Sequence, residues 1–217
     1  MKNKLMIFDL DGTLLDTIHD LCDAVNYALT QFGYPKRTLK EVLSFVGNGY
    51  IRLLTQALPK CICEEQFDNF VKCFKTYYAE HCFDKTKPFD GILPLLEELK
   101  KEGHTLVVLS NKGDEQVKSL VKRYFGNVFD IALGERLGVR RKPYPDAILE
   151  VLNQTGFDSA IYVGDSEVDV ETAKNAKIEC VCVDWGFRTR EQLISAGAEV
   201  IVSTMEELKS VLCKGNS

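Results

Sequence analysis

The second half of the chain alternates between short apolar runs and amphipathic helical patterns, and this alternation constrains the fold more than any other feature. Between the runs, apolar residues recur at three- and four-residue spacing, as on one face of a helix. A repeated order of strand and helix implies βαβ units, and hence a mostly parallel sheet with helices on both faces. The runs interpreted as strands are residues 105–109, 128–133, 161–163, 180–183 and 200–202.

A further apolar run, residues 5–8, opens the chain, and a long helical stretch separates it from the other predicted strands. Within that stretch apolar residues keep helical spacing without a strand signal, and Thr38 with Glu41 forms a capping-box pattern at the start of one helix. The sequence therefore predicts a three-layer, Rossmann-like α/β core with an inserted all-helical cap, which would cover one edge of the sheet like a lid. The predicted ranges are 1–15 and 85–217 for the core and 16–84 for the cap.

Length and charge exclude several classes of protein. The 217 residues carry a formal net charge of -5 and no run rich in lysine or arginine, which disfavours a nucleic-acid surface. No twenty-residue apolar segment is present, and Asp9 and Asp11 interrupt the first apolar run before it could form a signal-peptide core. We therefore expect a cytoplasmic monomer or homodimer that binds neither nucleic acid nor membrane, with its eight cysteines as reduced thiols.

Four polar clusters follow the predicted strands or lie in loops beside them. Because the carboxyl ends of parallel strands share one edge of a sheet, we expect the clusters to converge there. Carboxylate oxygens suit Mg²⁺, and a lysine supplies a point charge for a phosphoryl group, so the combination predicts phosphoryl transfer. The clusters are Asp9 with Asp11, Ser110 with Asn111, Lys142 with Pro143, and Asp165 with Asp169.

These clusters resemble, in order, the four signature motifs of the haloacid dehalogenase-like hydrolase superfamily. The resemblance extends over nearly the whole chain and includes the helical insertion after the first strand. Within the superfamily the chain looks most like the phosphoglycolate phosphatase group, on the segments 46–49 and 185–188. The four motifs read Asp9-x-Asp11-Gly12-Thr13, the strand ending in Ser110-Asn111, Lys142-Pro143-x-Pro145, and Gly164-Asp165-Ser166-x-x-Asp169.

The resemblance implies a magnesium-dependent phosphatase of small phosphorylated metabolites that works through an aspartyl-phosphate intermediate. Asp9 matches the nucleophile. Asp11 matches the general acid and base. The implied magnesium ligands are Asp9, the backbone carbonyl of Asp11, and Asp165, and Asp169 matches the acid that holds the site lysine or a metal-bound water.

The same resemblance implies a phosphate clamp in which Gly12 lets main-chain amides approach the phosphoryl oxygens. Substrate choice would come from side chains that can hold a second anionic group, such as a carboxylate. The implied clamp residues are Ser110, the backbone of Asn111, Lys142, Gly12 and Thr13. The candidates for the second anionic group are Asn48, Arg52, Lys112 and Arg188.

Other interpretations stay open at this point. The site could return the phosphoryl group to its substrate, as in a beta-phosphoglucomutase-like sugar-phosphate mutase, or could belong to a nucleotidase or a pyrophosphatase. The non-enzymatic alternative is a binding protein on the same scaffold, which loss of Asp9 or Asp11 would favour, but both residues are present. Each remaining cluster alone could also have a local role, such as a turn or helix cap at Ser110 or Asp165.

Overall fold

The computed structural model of the protein describes residues 3–59 and 62–214, which fall into two compact units. The chain passes from the first unit to the second after Leu15 and returns after Lys87. The predicted return lay three residues earlier, after residue 84. Lys85 and Thr86 belong to the helical unit because their backbone N–H groups donate to the buried carboxylate of Asp20.

Eight strands and ten helices are present in the described residues. The strands are β1 Leu5–Phe8, β2 Leu15–Asp16, β3 Lys87–Pro88, β4 Thr105–Gly113, β5 Ile131–Glu135, β6 Ile161–Gly164, β7 Glu179–Val183 and β8 Val200–Val202. The helices are α1 Ile18–Gln31, α2 Leu39–Phe45, α3 Gly49–Ala57, α4 Glu64–His81, α5 Ile92–Lys101, α6 Asp114–Phe125, α7 Asp146–Thr155, α8 Glu167–Ala176, α9 Arg190–Ser195 and α10 Met205–Cys213.

A six-stranded sheet, counted over the described residues, organises the first unit. Its order is β5-β4-β1-β6-β7-β8, and each neighbouring pair is parallel. The predicted α/β fold with a parallel sheet is therefore confirmed. The short strands β2 and β3, where the chain passes between the units, pair separately from this sheet.

Strand β1 lies between β4 and β6, and all four of its residues are buried. Leu5 and Ile7 pack in one core cluster with apolar side chains of α7 and α8. Burial on both faces explains why this strand reads as a continuous apolar run. The Asp9 N–H donates to Val163 O at 2.9 Å, so the main-chain pairing continues one residue past β1 and fixes where Asp9 leaves the sheet.

Two strands differ in extent from the sequence prediction. The predicted strand at 128–133 begins only at Ile131, because the ring of Phe129 packs edge-on against Phe8 and Phe125 instead of extending the ladder. Strand β4 continues past residue 109 to Gly113, with a register shift in its pairing to β5 after Leu109. The second polar cluster therefore lies on an irregular strand end.

The second unit contains α1 to α4. The capping box predicted at α2 is present: the Glu41 N–H donates to the Thr38 hydroxyl at 3.2 Å, and the Thr38 N–H donates to Glu41 Oε2 at 2.8 Å. Helix α4 buries Phe70 and Phe74, and the ring of Phe70 packs edge-on against Phe32. This apolar face explains the helical spacing that the sequence shows here.

No helix in the described ranges is long and apolar enough to cross a membrane. The cysteines that the structure describes are all free thiols, as expected, and Cys61 lies outside the described residues. The cytoplasmic location and the monomeric or dimeric state stay predictions.

Candidate active site

Buried acids and one lysine meet at the carboxyl edge of the central strands. Asp9 directly follows β1, Asp165 directly follows β6, and Asp169 lies in the first turn of α8. Each offers a carboxylate oxygen within 4.8 Å of the others. Lys142, from the loop between β5 and α7, places its ammonium 2.9 Å from Asp9 Oδ1 and 2.7 Å from Asp169 Oδ1. The structure thus brings together the first, third and fourth predicted clusters.

Asn111 connects the second cluster to this site through its side chain. Its Nδ2 donates to Lys142 O at 3.0 Å, and its Oδ1 accepts from the Lys142 N–H at 2.9 Å. The neighbouring Ser110 hydroxyl is buried and accepts from the Lys112 N–H at 3.2 Å. The resemblance implies a role only for the backbone of Asn111, whereas its amide side chain pairs with the backbone N–H and C=O of the site lysine.

Asp169 is saturated by protein donors. Its Oδ2 accepts from the Ser166 hydroxyl at 2.6 Å and from the N–H groups of Ser166 and Asp165 at 3.1 and 3.2 Å. Its Oδ1 accepts from Lys142 and from the hydroxyl of Tyr162, at 2.7 and 3.1 Å. Gly164 is required beside it, since a Cβ there would come closer than 3.0 Å to the Asp169 side chain.

Asp165 is held from two sides. The Thr13 hydroxyl donates to Oδ1 at 3.2 Å, and the Phe187 N–H donates to Oδ2 at 2.7 Å. The indole N–H of Trp185 donates to Thr13 O at 3.2 Å and ties the two partners together. Gly12 has a φ of +88°, and a Cβ on it would approach the Asp165 carboxylate closer than 3.0 Å. The turn after β1 therefore depends on glycine to lie against Asp165.

Asp11 lies outside the cluster of three acids. Its two carboxylate oxygens accept from Lys112 Nζ at 2.8 and 3.0 Å, and both side chains are largely buried. Lys112 was predicted to hold a second anionic group of the substrate, and in this structure it holds Asp11.

The other predicted candidates for a second anionic group are placed differently. Arg188 donates to Glu167 from Nε at 2.7 Å and from Nη2 at 3.1 Å. Arg52 is an exposed residue of α3, in the helical unit. Asn48 precedes that helix. Lys112 thus contacts Asp11, a residue of the polar clusters, and the charge of Arg188 acts to lower the pKa of Asp165.

Tyr162, Trp185 and Phe187 are site residues that sequence reasoning missed. Tyr162 carries the only hydroxyl in an otherwise apolar buried strand, which is a signal the sequence did contain. Trp185 belongs to the segment 185–188, on which the resemblance to the phosphoglycolate phosphatase group rests. The Phe187 contact comes from the backbone, so the type of residue at position 187 does not reveal it.

Comparison with known proteins assigns the family. A family model described as haloacid dehalogenase-like hydrolase matches residues 6–183, which contain all four polar clusters. The chain belongs to the haloacid dehalogenase-like hydrolase family. The family and fold that the motifs predicted are thereby confirmed.

Related hydrolases match this haloacid dehalogenase-like chain over most of its length. Phosphoglycolate phosphatase 1 of Pseudomonas aeruginosa is 30% identical over 214 residues, 94% of this chain and 78% of the relative. A phosphoglycolate phosphatase of Aquifex aeolicus is 32% identical over 187 residues, 85% and 86% of the two chains. The crystal structure of a protein from Lactobacillus delbrueckii subsp. bulgaricus superposes on this chain with a TM-score of 0.92 at 39% sequence identity. The superposition covers 98% of this chain and 99% of that protein. The chain is a phosphoric monoester hydrolase.

Burial and charge set the proton affinities in this haloacid dehalogenase-like site. Burial raises the pKa of Asp9 to about 7, although the Lys142 ammonium acts in the opposite direction. Burial, with Asp169 and Asp9, also raises the pKa of Asp165 well above its usual range. Burial would lower the pKa of Lys142, but the carboxylates of Asp169 and Asp9 raise it well above its usual range. The Lys142 ammonium thus forms ion pairs with two of the three buried acids, and the charge of Arg188 acts to lower the pKa of the third, Asp165.

The donor set of this acidic cluster fits a hard divalent cation. Lys142 Nζ lies 2.9 Å from Asp9 Oδ1 in an ion pair, and no other described residue donates a hydrogen bond to that oxygen. Oδ1 of Asp169 accepts two hydrogen bonds and Oδ2 accepts three, whereas each oxygen of Asp165 accepts one. Asp9 and Asp165 are therefore the better placed ligands. Carboxylate oxygens of this kind suit Mg²⁺, and a cation there would relieve the excess negative charge.

Proposed function

We propose that this chain hydrolyses small phosphate monoesters in two steps, with Asp9 as the nucleophile. The observation that carries the proposal is the meeting of Asp9, Asp165 and Lys142 at one edge of a buried parallel sheet. Hydrolysis of such esters is very slow without a catalyst, and positioning and charge stabilisation supply most of the acceleration. A buried ammonium fixed beside a buried carboxylate contributes to both.

The proposed reaction gives Asp9 and Asp11 complementary roles, which they take from their match to the family motif. An Asp9 oxygen attacks phosphorus, the bond from phosphorus to the ester oxygen breaks, and that oxygen leaves as an alcohol with a proton from Asp11. Asp11 then takes a proton from water, the water oxygen attacks phosphorus, and the bond to Asp9 breaks. Phosphate leaves, the Asp9 carboxylate is restored, and Asp11 is protonated again for the next cycle.

The remaining roles concern charge. Lys142 holds Asp9 and offers an ammonium to a phosphoryl oxygen. Asp9, the backbone carbonyl of Asp11, and Asp165 are the proposed magnesium ligands. A bound Mg²⁺ would neutralise charge on the phosphoryl oxygens and orient them. The proposed phosphate clamp consists of Ser110, the backbone of Asn111, and the amides at Gly12 and Thr13.

Phosphoglycolate is the substrate that we propose. The curated relatives from Pseudomonas aeruginosa and Aquifex aeolicus are phosphoglycolate phosphatases. Lys112 places a cation on Asp11, the group that must reach the leaving oxygen. A leaving group that carries its own carboxylate would bring a second anion close to this lysine, which can bind it.

The test is phosphate release with Mg²⁺, with and without chelator, from phosphoglycolate, sugar phosphates, nucleotides and pyrophosphate. We expect a strong preference for phosphoglycolate and loss of activity with chelator. Asp9→Asn should reduce kcat on the order of 10³-fold or more, since the nucleophile is gone. Asp158→Asn is the matched control, because Asp158 is exposed. A fully active Asp9→Asn enzyme would contradict the proposal, and transfer of phosphate to a second sugar hydroxyl would favour a mutase.

A trapping experiment tests the intermediate separately. Asp11→Asn removes both the acid of the first step and the base of the second, so the phosphoryl donor is acetyl phosphate, whose acetate leaving group needs no proton. A phosphorylated enzyme should then accumulate, because hydrolysis of the intermediate lacks its base. Peptide mass analysis should then locate one added phosphoryl group on Asp9. A phosphoryl group on any other residue would exclude Asp9 as the nucleophile.

A further inference from the structure

The hydroxyl of Tyr162 lies inside the charged cluster, and no motif accounts for it. Tyr162 is fully buried in β6, and its ring belongs to the apolar core. Its oxygen is 3.0 Å from Lys142 Nζ and 3.1 Å from Asp169 Oδ1. A rigid ring anchored in the core thus holds one polar atom among the ions.

The donors and acceptors around Lys142 balance only when this hydroxyl is counted. An ammonium has three N–H donors, and the described residues place three oxygens around it: Asp9 Oδ1, Asp169 Oδ1 and the Tyr162 oxygen. A tyrosine hydroxyl accepts and donates at once, so Tyr162 can accept from Lys142 while it donates to Asp169. Burial raises the pKa of Tyr162 well above its usual range, which keeps the hydroxyl protonated for this double role.

We propose that Tyr162 is a positioning residue whose hydroxyl fixes the Lys142 ammonium between Asp9 and Asp169. The expected effect of Tyr162 on the reaction rate rests on the proposed function. Its effect on the position of the Lys142 ammonium can be tested in the protein without substrate. Without the hydroxyl, two carboxylates alone would set the position of the ammonium, and one N–H would point at a ring edge. Lys142 is 5% exposed, so water does not readily replace the lost partner.

Tyr162→Phe removes the hydroxyl and keeps the ring. NMR of lysine side chains then measures the effect on the Lys142 ammonium without any substrate. In the wild-type protein the Lys142 ammonium protons should exchange slowly, because three acceptors and burial protect them. Tyr162→Phe should shift the nitrogen resonance and accelerate exchange. Tyr78→Phe, at a buried tyrosine of the helical unit, is the matched control and should leave the signal unchanged. An unchanged Lys142 signal in a folded Tyr162→Phe protein would overturn the proposal.

A double-mutant cycle gives the kinetic test, with single-turnover phosphorylation of Asp9 by phosphoglycolate as the readout. Tyr162→Phe should slow the wild-type reaction by about 10- to 100-fold, the range expected for loss of a hydrogen bond to a charged group. In the Lys142→Met background the same change should slow it by less than about threefold, because the residue through which Tyr162 acts is gone. Equal slowing in both backgrounds would contradict the proposal, since a general structural role predicts it.

The two readouts separate failure of this inference from failure of the proposed function. If the wild-type protein releases phosphate from no ester, the proposed function fails, and the NMR comparison alone decides the role of Tyr162. If phosphoglycolate is hydrolysed and Asp9 is phosphorylated while Tyr162→Phe matches the wild-type rate, the function stands and the positioning role is refuted. Thermal unfolding of each variant shows that the compared proteins are folded.

Discussion

Replacing Asn111 by alanine should destabilise the core unit through two buried hydrogen bonds. The Asn111 side chain donates to Lys142 O at 3.0 Å and accepts from the Lys142 N–H at 2.9 Å. The two residues are 6% and 5% exposed. Alanine removes both bonds and leaves a peptide N–H and C=O that water does not readily reach. Because both backbone groups belong to the site lysine, loss of these bonds should displace Lys142 and also reduce activity.

The magnitude follows from the number of polar groups left without partners. Each neutral hydrogen bond contributes about 0.5–1.5 kcal/mol net, and an unpaired buried group costs about 1–3 kcal/mol. With partial relaxation around two such groups, the free energy of unfolding should fall by about 2–4 kcal/mol. A chain of this size loses roughly 2–4 °C in Tm per kcal/mol, so the Tm should fall by roughly 4–16 °C.

Calorimetric unfolding of the wild type and three variants measures this effect. Asn153 is exposed on α7, so Asn153→Ala should unfold close to the wild type. Asn111→Asp keeps the acceptor but puts an oxygen opposite Lys142 O, and it should be destabilised too. A Tm for Asn111→Ala within about 1 °C of the wild type would refute the reasoning, because two buried bonds of ordinary length would then contribute nothing.

Three further predictions concern the metal ligands, the second anion and pH. Gly186→Ala would place a Cβ closer than 3.0 Å to Gly12 O and to the Asp165 side chain, so calorimetric titration should show weaker Mg²⁺ binding. Lys112→Met should lower kcat/KM for phosphoglycolate more than for ethyl phosphate, which has no carboxylate; equal losses would exclude a role in carboxylate binding. The pKa of Asp9 in the folded protein, about 7, lies above its ordinary value of 3.8. Native protein then binds more protons than unfolded chain between those pH values, and stability falls as pH rises from about 4 to about 7, by up to about 1.4 kcal/mol per pH unit. Urea unfolding in chelator should show this slope in the wild type and a smaller one in Asp9→Asn.

The fold could be predicted because burial imposes a period on the sequence. Residues of β1 are buried on both faces and read as one apolar run, whereas the helices bury one stripe each. The prediction was wrong where packing overrides the pattern. Phe129 is as apolar as a strand residue, but its ring fills a space beside Phe8, so β5 begins later. Periodicity does not distinguish an apolar side chain in a strand from one that fills a gap beside it.

The charged residues of the candidate site could be predicted for two reasons. Few residue types perform phosphoryl transfer, and the carboxyl ends of parallel strands share one edge of the sheet. What each side chain does there was harder to predict. Asn111 was expected to act through its backbone, but its amide side chain pairs with the backbone N–H and C=O of Lys142. The Thr13 hydroxyl donates to Asp165 at 3.2 Å, a contact that depends on how two loops lie against each other. Residue identity limits the possible partners, and the tertiary arrangement selects among them.

Backbone donors are the hardest site features to read from a sequence. The Phe187 N–H holds Asp165 Oδ2 at 2.7 Å, yet any residue except proline could supply that N–H. The trace it leaves is indirect: Gly186, one position earlier, passes so close to Gly12 O and Asp165 that a side chain would collide. A glycine next to a backbone donor is therefore the sequence mark of such a contact, and Gly186→Ala tests both features with one substitution.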